Sequence, residues 1–98
     1  MVRLITASGR EIRCEAVVHG RLYDYLHIHV SGMSLAEAAA IFDDSEQTRT
    51  MRVETVDEST GERQSTTYDG YTSVYSIQQS PFVPDALLVW MNRREVTA

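Results

Sequence analysis

Two imidazoles, His27 and His29, stand two residues apart, a spacing that puts both on one face of a β-strand. Imidazole nitrogens ligate zinc and copper, and a catalytic zinc commonly takes three protein ligands with a fourth position open. His19 would be the third nitrogen if its strand lay alongside. The competing use of these residues is as half-apolar rings beside Tyr23 and Tyr25. The chain has no HExxH pattern, no second cysteine and no carboxylate at a telling offset. The expectation is therefore no metal and no cofactor, with the three histidines kept as a fallback.

Cys14 would need a nearby base and an electropositive setting to act as a nucleophile. Its neighbours Arg13 and Glu15 point to the opposite face of a strand, and a lone cysteine on an apolar face usually packs in a core. The carboxylates fall into two groups, Asp43, Asp44 and Glu46, then Asp57, Glu58 and Glu62. Paired carboxylates run acid-base chemistry when burial separates their pKa values. Both groups lie in segments with the composition of exposed loops, and neither has the spacing of an EF-hand. They read as solvated charge or as a negative surface for a basic partner. Five glycines are scattered singly at positions suited to turns, so nothing forms a phosphate cradle. No catalytic residue is expected.

The elements that would position these groups are short strands around one helix. Val2 to Thr6 and Glu11 to Val18 form a hairpin through Ala7-Ser8-Gly9-Arg10. Leu22 to Val30 is the clearest strand, with Leu22, Asp24, Leu26, Ile28 and Val30 on one face and Tyr23, Tyr25, His27 and His29 on the other. Ser34 and Glu37 have the spacing of a capping box, and Leu35, Ala38, Ala39 and Phe42 make a helical stripe. Asp43-Asp44-Ser45-Glu46 should end that helix. Thr48 to Val56, Arg63 to Tyr68, Tyr71 to Gln79 and Ala86 to Met91 complete about seven strands. Tyr71, Ser73, Tyr75 and Ile77 should share a face, and Ala86 to Met91 should be central or covered on both faces. The predicted class is α+β, mainly antiparallel, with one short helix near residues 34–42; the pattern leaves a small barrel and a sandwich both open.

Composition narrows the function classes. The 98 residues suit a single domain spanning 1–98, with 43% apolar content typical of globular chains. Nine arginines and no lysine face 14 carboxylates, for a formal charge of -5. That balance disfavours direct binding of nucleic acid or an anionic membrane. The longest apolar run, Ala86 to Met91, is far short of a membrane span, and the first residues do not read as a secretory signal. The Tyr23/Tyr25 pair and the Tyr68/Tyr71/Tyr75 group either suit protein contacts, because a rigid amphipathic ring offers large area at low entropy cost, or cover the second face of the sheet.

A longer pattern joins these pieces. Leu26-His27-Ile28, then Gly32-Met33-Ser34-Leu35-Ala36-Glu37-Ala38, Ile41-Phe42-Asp43-Asp44 with Thr48 and Thr50, and Tyr68-Asp69-Gly70-Tyr71-Thr72 resemble a group of small phage and prophage proteins. The match covers about half of the chain and departs from the group at Ser80 to Asp85. The resemblance implies a non-catalytic protein of a mobile element, working in the host cytoplasm as a monomer or homodimer. One implied role is an anti-CRISPR-like inhibitor that binds a basic, nucleic-acid-binding host complex. Its contacts would be Asp43, Asp44, Glu46, Asp57, Glu58 and Glu62, with Tyr23, Tyr25, Tyr71 and Tyr75 as anchors. The inhibitor is the leading expectation, and the alternative is a minor virion component, typically of the tail, that works by assembling with copies or neighbours.

Overall fold

The chain begins as a hairpin because Gly9, at φ 91°, takes the left-handed turn that returns β1 (Val2–Ile5) into β2 (Glu11–His19). The computed structural model describes residues 2–20, 22, 24–81 and 83–93. Five more strands follow: β3 (Tyr25–Ser31), β4 (Thr50–Val56), β5 (Arg63–Asp69), β6 (Ser73–Gln79) and β7 (Ala86–Asn92). Between β3 and β4 lie α1 (Leu35–Phe42) and the single turn α2 (Ser45–Thr48). The α+β, mainly antiparallel class read from the sequence is the class observed.

All seven strands form one antiparallel sheet in the order β5-β4-β1-β2-β3-β7-β6. The outermost strands, β5 and β6, are consecutive in the chain and joined by only Gly70, Tyr71 and Thr72. A flat sheet of this many strands would hold its edges about 29 Å apart, at roughly 4.8 Å per strand. Three linking residues span about 14 Å at most. The sheet must therefore curl until its two edges approach at one corner. The result is an open barrel, since no ladder pairs β5 with β6 among the described residues.

The concave face is the core. Leu4, Leu26, Ile28, Val30, Met51, Val89 and Met91 are fully buried there, with Ile12, Cys14, Val53 and Leu87 nearly so. Helix α1 closes the space from above, packing near β6, while α2 leans on β4. Eight residues are too few for a helix to stand alone in water. Phe42, Ala38 and Ile41 hold it down, and full burial of a side chain such as Phe42 contributes about 1.5–3 kcal/mol.

Several local expectations are corrected. The apolar stripe of α1 is Ala38, Ile41 and Phe42, whereas Leu35 is 54% exposed and Ala39 is exposed. The helix sits rotated toward Ile41 because the sheet offers its apolar surface on that side. Ser34 caps α1 by accepting from the Glu37 amide at 3.2 Å, but the return contact is its own hydroxyl donating to Glu37 at 3.3 Å. The acidic segment expected only to end α1 instead starts α2, with Asp44 accepting from the Glu46 amide at 3.0 Å. Strand β3 starts at Tyr25 rather than Leu22, whose side chain is 92% exposed. Strand β6 starts at Ser73, and a bulge between Val74 and Ser76 breaks its alternation. Val74 and Ile77 consequently pack on the core, leaving Tyr75 exposed.

Candidate functional site

The convex face carries a cluster of rings. Antiparallel pairing of β3 with β7 sets His27 directly opposite Trp90, and Tyr25 opposite Asn92. The His27 and Trp90 rings meet edge to face at 4.5 Å, and Tyr25 lies 4.6 Å from His27 and 5.3 Å from Trp90. The bulge in β6 brings Tyr75 to 4.8 Å from Trp90 on the other side. Trp90 donates its indole N–H to Asn92 at 3.1 Å, which fixes its ring plane. Tyr75 is 67% exposed, and Val18, opposite His27 on β2, is 50% exposed. Three rings in mutual contact, with Tyr75 joined through Trp90, thus present an aromatic surface beside an exposed aliphatic side chain.

His27 is a ring of this surface rather than a charge. Its Nε2 is buried without a hydrogen-bond partner. Burial, with a smaller contribution from nearby His29, holds its pKa below the ordinary histidine value of 6.5. His29 instead meets the β6–β7 loop, its Nδ1 3.4 Å from the Ser80 hydroxyl. Beside it Leu88, on the same outer face of β7, is only 6% exposed. The expectation that Ala86 to Met91 is central or covered on both faces holds: β7 lies between β3 and β6, with Ala86 and Leu88 buried and Trp90 half-buried.

A second polar centre ties the corner where the sheet edges approach. Tyr71, from the β5–β6 crossover, donates its hydroxyl to Asp24 in the β2–β3 turn. His19 Nε2 lies 2.9 Å from Asp24 Oδ1 and 3.0 Å from the Tyr71 oxygen. A proton on that nitrogen serves both contacts, because the phenol proton already goes to the carboxylate. Arg93 completes the group, with Nη1 3.2 Å from Asp24 Oδ2 and its guanidinium 4.8 Å above the Tyr71 ring. Bonds from Tyr71 and His19, with Arg93 alongside, hold Asp24 below the usual carboxylate range. Burial and the Asp24 carboxylate push the Tyr71 phenol up to about 12. A phenol so hard to ionise, donating to a carboxylate, is a clamp rather than an activated nucleophile.

The residues singled out from sequence separate into different regions. Tyr25 and Tyr75 belong to the convex ring cluster. Tyr71, a candidate anchor read as either exposed or covering the sheet, is 1% exposed and packs at 5.9 Å from Tyr68, so it offers no outer contact surface. A short crossover must pass over the core, so its ring is inside. Tyr23 lies outside the described residues. Asp43, Asp44 and Glu46 are exposed around the α1–α2 junction, and Asp57, Glu58 and Glu62 around the β4–β5 turn. These two groups flank opposite ends of β4, a seven-residue strand that spans about 23 Å. Asp57 is held low by the Ser59 hydroxyl and amide, 2.7 and 2.9 Å from its Oδ1. Arg49 and Arg52 line a groove of about 430 Å³ with Thr6, Thr50 and Thr67.

The three histidines do not converge. His27 and His29 point to the convex side, while His19 has the parity of Val17, which packs on the core. Among the described residues no group of three His, Cys, Asp or Glu is placed to hold a metal ion. Cys14 is 5% exposed, and burial pushes its thiol up to about 12. Two parts of these sites were missed in the sequence. Trp90 sat in an apolar run read only as core, and the alternation of β7 was the available signal for its outward side. The Asp24–Tyr71–Arg93 contacts join residues from three distant segments and had no local signal.

Comparison with family models, curated proteins and solved structures finds no match to this chain. Among the described residues no helix is long and apolar enough to cross a membrane.

Proposed function

We propose that this chain is a non-catalytic assembly protein that docks on another protein through the convex ring cluster of Tyr25, His27, Trp90 and Tyr75. The observation that carries this reading is the cluster itself: four rings in contact, on the side of the sheet away from the core, with Tyr75 67% exposed. Aromatic anchors of this kind supply most of the energy in protein interfaces. The resemblance to phage and prophage proteins gives the setting, a minor virion component that meets its neighbours in the host cytoplasm.

The inhibitor reading keeps one observation in its favour. Asp43, Asp44, Glu46, Asp57, Glu58 and Glu62 are all exposed, and exposed acids would be steered to a basic nucleic-acid groove. Capture from lysate of a phage-infected host, washed through a salt series, separates the two. Recovery of a virion protein that Trp90→Ala and Tyr75→Ala abolish supports assembly. Salt-sensitive recovery of a nucleic-acid-binding complex, abolished by reversing Asp57, Glu58 and Glu62 to Arg, transfers the function to inhibition. Recovery of neither defeats both.

A further inference from the structure

Among the described residues the sheet leaves β5 and β6 unpaired on their outer sides, and these two edges are not equivalent. Strand β6 has its ladder broken by the bulge at Val74 and Ser76, and α1 packs near it. Strand β5 pairs with β4 in an unbroken register from Arg63 to Asp69. It contains no proline, no glycine and no bulge, and every residue but the half-buried Tyr68 is exposed. Edge strands are ordinarily protected from pairing by bulges, prolines or charges placed along them. On β5 the charges stand only at the two ends, with the uncharged run Gln64-Ser65-Thr66-Thr67-Tyr68 between. Threonine and tyrosine both favour strands.

We propose that β5 is a self-pairing edge, and that two copies of this chain join through it as an antiparallel, two-fold symmetric dimer. The register follows from the sequence of the strand. Centred on Thr66, the pairing sets Arg63 of each copy opposite Asp69 of the other, Gln64 opposite Tyr68, and Ser65 opposite Thr67. Both ends then carry a cross-strand ion pair. Side chains alternate, and a two-fold axis keeps the same face outward on both copies, so the register can slip only by two residues. Either slip shortens the ladder and takes Arg63 out of register with Asp69. Among the described residues neither side chain makes an ion pair within its own chain. Main-chain hydrogen bonds supply the attraction and the terminal charges fix the register. The dimer extends one sheet continuously through two chains.

This deepens the assembly reading and rests on it for its purpose, although it is built on β5, which contributes no residue to the ring cluster. One strand pair makes a small polar interface, so association belongs to the weak class, in a range of roughly 10 µM to 1 mM. Sedimentation velocity on the full chain across that range tests it. The wild type dimerises, and Arg63→Asp or Asp69→Arg alone weakens association about tenfold by opposing like charges at both ends. Mixing the two variants restores a one-to-one dimer, because each pairing is then Asp against Arg. Thr66→Cys cross-links on oxidation to a species of twice the chain mass. Three results overturn the proposal: a wild type that stays monomeric at about 1 mM, association indifferent to both reversals, or no recovery on mixing. Trp90→Ala tells the surfaces apart. Loss of partner capture with dimerisation intact leaves β5 as the self-contact, and loss of dimerisation reassigns it to the rings.

Discussion

The Tyr71 hydroxyl donates to Asp24 across 47 residues of chain, and this one contact fixes the β5–β6 crossover against the β2–β3 turn. His19 and Arg93 converge on the same carboxylate at 2.9 and 3.2 Å, so the crossover is tied to both sides of the curled sheet.

Removing only the hydroxyl should therefore weaken the fold without emptying the core. Tyr71→Phe is expected to cost about 1.5–3 kcal/mol in urea unfolding, the range for a hydrogen bond to a charged group. Tyr71→Ala should cost about 3–5 kcal/mol, because the ring volume is lost as well. Equal stability of Tyr71→Phe and wild type would show that the clamp contributes nothing.

The same clamp sets an acid limb. The folded pKa of Asp24 lies below 3.8, so between its folded and unfolded values the unfolded chain binds more protons. Its contribution is fully present above pH 3.8 and is lost as pH falls through the folded value. Asp57 adds a contribution of the same sign at the β4–β5 turn. Thermal unfolding between about pH 2 and pH 6 should show a flatter acid limb in Asp24→Asn than in wild type. Identical slopes would remove Asp24 from the account.

His27 acts at higher pH with the same sign, although here it is the neutral form that the fold favours. Its folded pKa lies below 6.5, so the unfolded chain takes up the proton first on acidification. Stability from neutral His27 is present above pH 6.5 and declines as pH falls through the folded value. His27→Phe should remove that part of the pH dependence and keep the ring contacts with Trp90. Trp90 is the single tryptophan, and its emission should titrate with His27 and become pH-independent in the variant.

Cys14 gives a readout of core integrity. With its thiol pushed up to about 12, native protein at pH 8 should react with a disulfide reagent about a thousandfold slower than urea-unfolded protein. Equally fast labelling would mean that the β1–β2 side of the core opens readily.

Local chemistry made much of the fold legible. The alternation in β3 separated Leu26, Ile28 and Val30 from Tyr25, His27 and His29, because period two is a property of the strand itself, and the aliphatic set is the one buried in the core. Ser34 marked the start of α1 for an equally local reason, the unpaired amides of a first helical turn. The inward position of Tyr71 depends on which strands become sheet edges, and that is decided by pairings such as Val2 with Thr55. The outward turn of Tyr75 depends on a bulge, which shifts parity by one residue without a composition signal. The ring cluster was half visible for this reason: Tyr25 and His27 belong to one strand, while Trp90 and Tyr75 join through the β3–β7 and β6–β7 ladders.

The strand order carries a kinetic consequence. The centre of the sheet, β1-β2-β3, is a local meander, and each flank is a hairpin, β4–β5 on one side and β7–β6 on the other. All three pieces can form by short-range search, but joining them requires β1 to find β4 and β3 to find β7 across large chain separations. Loop closure makes those encounters the slow events, and topologies dominated by them fold in milliseconds to seconds. The crossover bearing Tyr71 links the two flanks, so docking one hairpin draws the other toward its place. The three residues that force the sheet to curl thereby convert two independent searches into one.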